Sequence, residues 1–275
     1  MQSRYPVRMG PKSIPISDLF DGISALYAVA TEDKFLSHLI EFIEKWIPVQ
    51  HADILEFKKG LQPRSLKATA GGYDHDLSKY LNGLYLLDPY YDLYENQDRT
   101  GIFKLNLEDW DNFSSTEDYK RYWRMFVGNN EVAGLYKITD QHCIHVSFMI
   151  QTEDQQLVQD AVELMRLLES NFCILFRNYF YSKGRQSTMN EIDRREFHTT
   201  VSAVLENFGS DVLSDREQEI VRLLLKGHSA KSIATLLDIT AGTVSVHRSN
   251  IYQKLAVAGQ GDLFSEFVTS LTSLR

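Results

Sequence analysis

Long hydrophobic runs are absent from this sequence, and cysteine and proline are scarce. The densest apolar stretch, residues 172–176, falls far short of the ~18–20 residues that a membrane helix needs. The first fifteen residues contain three basic residues but no apolar core, so they make a poor secretion signal. The two cysteines, Cys143 and Cys173, form no disulfide framework and no CxxC metal motif. These absences predict a cytoplasmic protein with no membrane partner.

Sequence motifs for catalysis and cofactor binding are missing as well. There is no glycine-rich phosphate loop, no nucleophile elbow and no metal-ligand helix. His142, Cys143 and His145 lie close together, but on a strand His142 points away from the face that the other two share. Two ligands on one face do not make a metal site. We therefore expect no enzyme activity, no metal and no cofactor, and we expect the cysteines to be inert core filling.

The net charge of −8 is unevenly distributed along the 275 residues. Residues 211–275 contain seven basic and seven acidic residues, which leaves 22 basic and 30 acidic residues in the first 210. A basic face on the neutral end can still bind a polyanion, because physiological salt limits charge interactions to about 8 Å. A chain of this length fits one large domain and one small domain.

Four segments follow from the positions of prolines, glycines and apolar periodicity. Residues 1–16 carry three of the six prolines and are predicted to be flexible. Residues 17–181 form an α/β domain, residues 182–210 a helical linker and residues 211–275 a small helical domain. In the α/β domain, the patterns predict helices at 18–30 and 32–47, strands at 51–58 and 64–70, and a β-hairpin at 131–139 and 142–150.

Two long helices end the α/β domain and lead out of it. Thr152 and Gln155 are spaced as a capping box for a helix that reaches about residue 181. Thr188 and Glu191 are spaced to cap a second helix, whose apolar face includes Ile192 and Val201. Helices, then a sheet, then a closing helix predict an α+β protein. Its fold class is an N-terminal α/β/α sandwich followed by an all-α four-helix domain.

The pattern of residues 213–255 predicts a helix-turn-helix. Ser214 and Glu217 form a capping box for the first helix, and Lys226-Gly227 ends it. Ser229 caps a short second helix, and residues 238–240 form the turn. Thr240 then caps a third helix at 241–255, and a fourth follows at about 260–272 with an apolar edge that could meet a second copy. In this geometry the third helix enters the DNA major groove.

The same segment resembles the C-terminal domain of LuxR-type regulators. The resemblance rests on residues 213–220, on Lys226-Gly227-His228-Ser229 and on a series of matching positions through Leu255. It implies a four-helix domain that binds near-palindromic double-stranded DNA as a homodimer, and hence a DNA-binding transcription regulator, with RNA polymerase as a further partner. Ser232 and Gly242 depart from the family pattern, and Gly242 costs helix propensity of about 1 kcal/mol against alanine.

Helical phase separates two kinds of DNA contact on the third helix. With Val244 and Ile251 turned inward, the outward face offers the base-edge candidates Ser245, Val246 and Ser249. A second set of polar and basic residues is better placed to contact the DNA phosphates. These phosphate candidates are Lys231, Thr240, Thr243, His247, Arg248, Asn250 and Lys254.

The first 210 residues leave the effector open. A phosphorylated receiver domain does not fit, because the chain begins with helices. An acyl-homoserine-lactone receptor is an alternative, since Asp88-Pro89 resembles the motif that holds the lactone amide, but the expected tryptophan shortly before it is missing. Residues 80–91 look more like orphan LuxR-type regulators with a PAS/GAF-type sensory sandwich. An interaction protein with no DNA role is the alternative from another class.

Aromatic and acidic residues alternate through residues 85–123. Rings beside carboxylates suit a cationic ligand, so the sequence favours a small-molecule effector that bears an amine. A tyrosine-rich surface that packs helices or a dimer partner explains the same pattern equally well. The candidate ligand-binding residues are Tyr85, Asp88, Tyr90, Tyr91, Trp110, Tyr122 and Trp123.

Overall fold

The structure, a computed structural model, describes residues 7–9, 12–69, 77–104, 130–150, 152–183 and 188–273. Its strands are β1 (Val7–Met9), β2 (Lys12–Ile14), β3 (Val49–Lys58), β4 (Arg64–Ala68), β5 (Gly101–Lys104), β6 (Glu131–Thr139) and β7 (His142–Ile150). Its helices are α1 (Ile16–Val29), α2 (Phe35–Glu44), α3 (Leu77–Leu81), α4 (Pro89–Glu95), α5 (Gln155–Ser182), α6 (Thr188–Glu206), α7 (Asp215–Leu225), α8 (Ala230–Leu236), α9 (Ala241–Lys254) and α10 (Gln260–Thr272). Among the described residues, no helix is long and apolar enough to cross a bilayer.

A five-stranded antiparallel sheet with the strand order β4-β3-β7-β6-β5 is the centre of the N-terminal part. The predicted hairpin at 131–139 and 142–150 is confirmed, because β6 and β7 have those bounds and pair with each other. Alternation along β7 turns Ile144, Val146 and Phe148 to one face of the sheet. The other face carries Cys143, His145 and Ser147, whose side chains are also buried.

Helices cover both faces of this sheet, which confirms the predicted α/β/α sandwich. On the first face, α1, α2 and α5 form a core in which the rings of Phe35 and Phe176 meet edge to face at 5.7 Å. On the second face, α3, a 3-10 turn at Leu84–Leu87 and α4 pack tyrosines against β3. The Phe57 ring of β3 meets the Tyr91 ring of α4 edge to face at 5.2 Å.

The apolar side of α5 is buried, but the N-cap of the helix is not the predicted one. The side chain of Asp154 accepts a hydrogen bond from the backbone N–H of Gln156 at 2.9 Å and caps the helix. Thr152 instead accepts from the N–H of Asp154 at 3.0 Å. The capping box predicted at Thr152 and Gln155 is therefore wrong, because an aspartate nearer the helix offers the same acceptor with better reach.

Three further features differ from the sequence-based expectations. The segment predicted to be flexible contains β1 and β2, which pair with each other, and Ile14 at the end of β2 is buried in the sandwich core. β5 was not predicted, since an edge strand of four residues has too short a pattern to detect. Ile192, placed on the apolar face of α6, is 57% exposed because α6 meets the sheet there through Arg194 instead.

The C-terminal part is the predicted four-helix unit, α7 to α10, with α6 packed against it. α10 has the predicted bounds, but its apolar residues are buried against α6 and α7 of the same chain. The apolar edge of α10 is therefore covered by the same chain, whereas the sequence had suggested that it could contact a second copy. The reason is that α6, which reaches back from the sandwich, supplies Val201 and Leu205 to the same core, and Phe208 follows just after the helix.

Candidate functional site

Side-chain caps fix the start of each helix in the helix-turn-helix. At α7, the N–H of Glu217 donates to Ser214 Oγ at 3.4 Å and the N–H of Ser214 donates to Glu217 Oε2 at 2.9 Å, which completes the predicted capping box. Ser229 accepts from the N–H of Ser232 at 3.0 Å, and Thr240 accepts from that of Thr243 at 3.0 Å. The caps predicted at all three helix starts are confirmed.

Two residues with positive φ make the turns between these helices. Gly227, at φ +84°, ends α7 in the left-handed conformation that glycine adopts without a steric penalty. Asp238, at φ +51°, makes the turn between α8 and α9. The N–H of Ile239 donates to the Ala234 carbonyl at 3.0 Å, which closes the corner. Aspartate is among the few non-glycine residues that tolerate this conformation.

The inward face of α9 is buried against α7 and α8. Val244 and Ile251 have no exposed surface, and Ile233 of α8 packs in the same core. The small side chain of Ala234 lets α8 and α9 approach closely. The core therefore holds α9 in one rotational setting, so that the residues on its other side face outward.

The three base-edge candidates lie on that outward side. Ser245, Val246 and Ser249 are exposed, and Val246 keeps 62% of its surface, which is unusual for a valine. The hydroxyl of Ser245 donates to the Ala241 carbonyl at 3.0 Å, so its oxygen remains available as an acceptor. Together these residues form a small, uncharged ridge along the first turns of α9.

The phosphate candidates divide into exposed and engaged residues. Lys231 and Asn250 are exposed, whereas His247 and Arg248 are half-buried beside the helix. The hydroxyls of Thr240 and Thr243 lie 2.9 Å apart and hydrogen-bond to each other. Lys254 Nζ lies 2.6 Å from Glu217 Oε2. Lys254 is thus engaged in an ion pair with the capping residue of α7.

The N-terminal candidates gather between the sheet and α4. Asp88 caps α4 by accepting from the N–H of Tyr90 at 2.8 Å, and it accepts from the Tyr80 hydroxyl at 2.6 Å. Burial raises the pKa of Asp88 to about 6, although these hydrogen bonds act in the opposite direction. Tyr85 and Tyr91 are buried beside it, with their rings edge to face at 5.0 Å. Trp110, Tyr122 and Trp123 lie outside the described residues.

Four polar residues lie together on the facing side of the sheet; sequence reasoning missed three of them and considered His145 only as a metal ligand. Asp53, Glu131, His145 and Ser147 are all buried. Asp53 pairs with Ser147 across β3 and β7, and Glu131 lies two residues before Ala133, the partner of Ser147 on β6. The missed signal was in β7 itself, because its second face is polar although helices cover both sides of the sheet.

Two contacts connect the two parts of the molecule. Lys226 Nζ of α7 lies 2.8 Å from Asp92 Oδ1 of α4, and each side chain is about one quarter exposed. Although burial alone raises it, the hydrogen bond and charge of Lys226 hold the pKa of Asp92 below its usual value. Leu271 of α10 lies against Gly83, where an added Cβ would approach within 3.0 Å. The helix-turn-helix is therefore docked on the sandwich.

Comparison with known proteins matches each part separately. Residues 211–266 match the family described as bacterial regulatory proteins, luxR family. A putative HTH-type transcriptional regulator of Aeromonas salmonicida is 34% identical over 79 residues, which is 29% of this chain and 40% of that protein. The response regulator protein TodT of Pseudomonas putida is 44% identical over 63 residues, 23% of this chain and 27% of TodT. The matches thus span less than half the length of these curated relatives.

A solved structure matches the N-terminal part in fold. The VqsR LBD domain from Pseudomonas aeruginosa is 22% identical and superposes with a TM-score of 0.50. That match covers 60% of this chain and 97% of the VqsR domain. At this identity the likeness concerns the fold alone. It agrees with the α/β sandwich that the described residues form.

Proposed function

We propose that this chain, whose residues 211–266 form a helix-turn-helix domain of the luxR family of bacterial regulatory proteins, is a sequence-specific transcription regulator of the cytoplasm. It binds DNA as a homodimer, and a small molecule held in the N-terminal sandwich controls it. The main observation in support is that the two sides of α9 differ in burial. Val244 and Ile251 are buried, whereas Ser245, Val246 and Ser249 are exposed. This arrangement allows the helix to enter a major groove without rearrangement of the domain core.

Base reading and phosphate binding are divided between different residues of this surface. Ser245 and Ser249 offer hydroxyls to base edges, and Val246 offers an apolar contact to a thymine methyl. Lys231, at the start of α8, is exposed and free to approach a phosphate as that helix crosses the backbone. Lys254 contributes to phosphate binding only after it leaves Glu217.

Dimer formation is supported by an exposed apolar surface on α1 and α5. Leu167, Ile174 and Tyr181 are exposed and spaced by seven residues on α5, which places them along one side of the helix. Phe20 of α1 is exposed as well, and the hydroxyl of Tyr27 on α1 bonds to Asn171 of α5 at 3.3 Å.

The charges beside this surface complement each other between two copies. α1 exposes Asp18 and Asp21, whereas α5 exposes Arg166 and Arg177 together with one acid, Glu163. Packing of α1 of one copy against α5 of the other would therefore place opposite charges together. A homodimer built in this way presents two recognition helices, which predicts a near-palindromic DNA site with half-sites about one helical turn apart.

Selection of bound sequences from a random DNA pool, followed by fluorescence anisotropy on the selected site, tests this function. Ser249→Ala should change the preferred base at one position per half-site, at a cost of about 1–3 kcal/mol for the favoured base. Lys231→Ala should weaken binding to selected and random DNA alike. It should also lower the number of counterions released on binding by about one in each copy, measured from the salt dependence of the affinity.

Thr269→Ala, an exposed position on α10 whose hydroxyl donates to the Ser265 carbonyl of the same helix, is the matched control and should bind as the parent protein does. Selection that enriches no sequence would contradict the proposal. Equal effects of Ser249→Ala on selected and random DNA would contradict the division between base and phosphate contacts.

A further inference from the structure

A group of buried acidic residues lies on the second face of the sheet, beneath α4. The register places Asp53 of β3 beside Ser147 of β7, and Ser147 beside Ala133 of β6. Glu131, two residues before Ala133, points to the same face. Asp88, at the start of α4, covers this position from above, and its charge is one of the causes that raise the pKa of Glu131. Three carboxylates therefore share one region of the core.

A buried histidine lies in the same region. His145 of β7 is two residues from Ser147, so it points to the same face, and it is 4% exposed. Within the described part of the chain, neither of its ring nitrogens has a hydrogen-bond partner, and neither does Oε2 of Glu131. Buried polar atoms are normally paired, because an unsatisfied one costs about 1–3 kcal/mol. These atoms point to a missing polar partner.

Another buried acid of the same sheet has several basic partners. Glu56 of β3 is 1% exposed and lies within 3.1 Å of Arg64 and 3.0 Å of Arg194. Among the described residues, no lysine or arginine is one of the main influences on the pKa values of Asp88, Glu131 and His145. Asp53 has a histidine, His51, at 3.0 Å.

Ionisation of the buried groups in this region is unfavourable. Burial, and then the charge of Asp88, raise the pKa of Glu131 well above its usual value, although Ser147 donates to it. Burial lowers the pKa of His145 to about 4, so this histidine is neutral near pH 7 and does not serve as the counter-ion. A cation from outside the chain would allow both carboxylates to ionise and would satisfy the free oxygen.

We propose that the sandwich binds an effector that carries a protonated amine, with Glu131 and Asp88 as its counter-charges and His145 as a hydrogen-bond acceptor. This inference rests on the proposed function, since it names the class of effector that the regulator senses. The surrounding rings fit a cation as well: those of Phe57 and Tyr90 each lie 5.2 Å from the His145 ring.

The test compares charged probes with neutral probes of the same shape on the full chain. Thermal unfolding is followed with methylammonium, n-butylammonium and putrescine dihydrochloride, each matched by the corresponding alcohol in sodium chloride of equal ionic strength. At least one ammonium probe should raise Tm by about 4–7 °C at about twenty times its Kd, and its alcohol should not. If no ammonium probe stabilises the protein more than its alcohol, the proposal is wrong.

Two variants locate the site. Glu131→Gln keeps the shape and removes the charge, so it should abolish the preference for the ammonium probe. Glu163→Gln, an exposed glutamate on α5, is the control and should retain it. A preference that survives Glu131→Gln would overturn the assignment, and if that variant does not fold, the comparison on the parent protein still decides. The DNA selection does not depend on these ligand experiments, so the proposed effector class and the proposed DNA-binding function can be contradicted separately.

Discussion

Replacing Glu56 by glutamine tests how much the buried cluster of charges around this residue stabilises the protein. Glu56 is 1% exposed on β3, and four basic side chains surround it. Arg64 lies at 3.1 Å, His142 at 3.3 Å and Lys58 at 3.8 Å, all from the sandwich itself. The fourth, Arg194, comes from α6 and lies at 3.0 Å. The substitution removes the one negative charge that these four groups share.

The magnitude follows from the ionisation of Glu56. Burial on its own raises the pKa, but the hydrogen bond from His142 and the charges of Arg64 and Lys58 more than offset it, and the pKa falls from 4.5 to about 2. This difference corresponds to about 3 kcal/mol of stabilisation at pH 7. Because the folded-state pKa is the lower one, the stabilisation is complete above pH 4.5 and is lost as the pH falls through about 2.

Urea unfolding of the parent protein and of Glu56→Gln measures the effect. We expect a loss of about 3 kcal/mol at pH 7, which shrinks to about 2.5 kcal/mol at pH 4 as the unfolded carboxyl becomes protonated. Glu191→Gln is the control, because Glu191 pairs with Lys58 while 37% exposed and should cost less than about 1 kcal/mol. A loss below about 1 kcal/mol for Glu56→Gln, or one that grows at pH 4, would refute the ionisation argument.

Three further predictions concern the other contacts described above. Ser214→Ala removes the cap of α7 and should lower the free energy of unfolding by about 1 kcal/mol; an unchanged melting curve by circular dichroism would contradict it. Lys226→Ala removes the ion pair with Asp92, which should lower stability by about 1 kcal/mol and speed hydrogen exchange in both α4 and α7. Exchange that changes in α7 alone would show that the two parts are not coupled at this contact. Ile174→Glu should shift the sedimentation coefficient to that of a monomer, and a variant that still sediments as a dimer would exclude the α1 and α5 surface.

Local chemistry explains what could be predicted from the sequence. A serine or threonine three residues before the matching N–H determines a helix start by itself, so Ser214, Ser229 and Thr240 identify their helices without knowledge of the fold. The β6–β7 hairpin is similarly local, because period-two alternation and a short turn determine it. The same reasoning failed at α5, where Thr152 and Asp154 both offered a cap and spacing could not rank them.

The buried carboxylates could not be predicted, because they come together only through pairing across the sheet. Glu131 and Asp53 are 78 positions apart, and their shared face depends on the register of β7 between β3 and β6. The apolar pattern of Ile144, Val146 and Phe148 revealed the opposite face of β7. Residues on a sheet covered on both sides give no reliable signal for the second face, since either polar or apolar residues can lie there.

The position of α6 gives the effector region a direct mechanical connection to the DNA-binding domain. His198 of α6 hydrogen-bonds to the Tyr85 hydroxyl at 2.9 Å, and the Tyr85 ring contacts that of Tyr91, three residues after Asp88. One turn further along, Val201 is buried in the core that α6 shares with α10. A ligand that displaces Asp88 would reach α6 through the ring contact of Tyr91 with Tyr85 and the hydrogen bond of Tyr85 to His198. Because α6 packs in one core with both the second face of the sheet and α10, we expect a shift of α6 to alter the pose of the recognition helices relative to the sandwich, which is the differential contact that effector control requires.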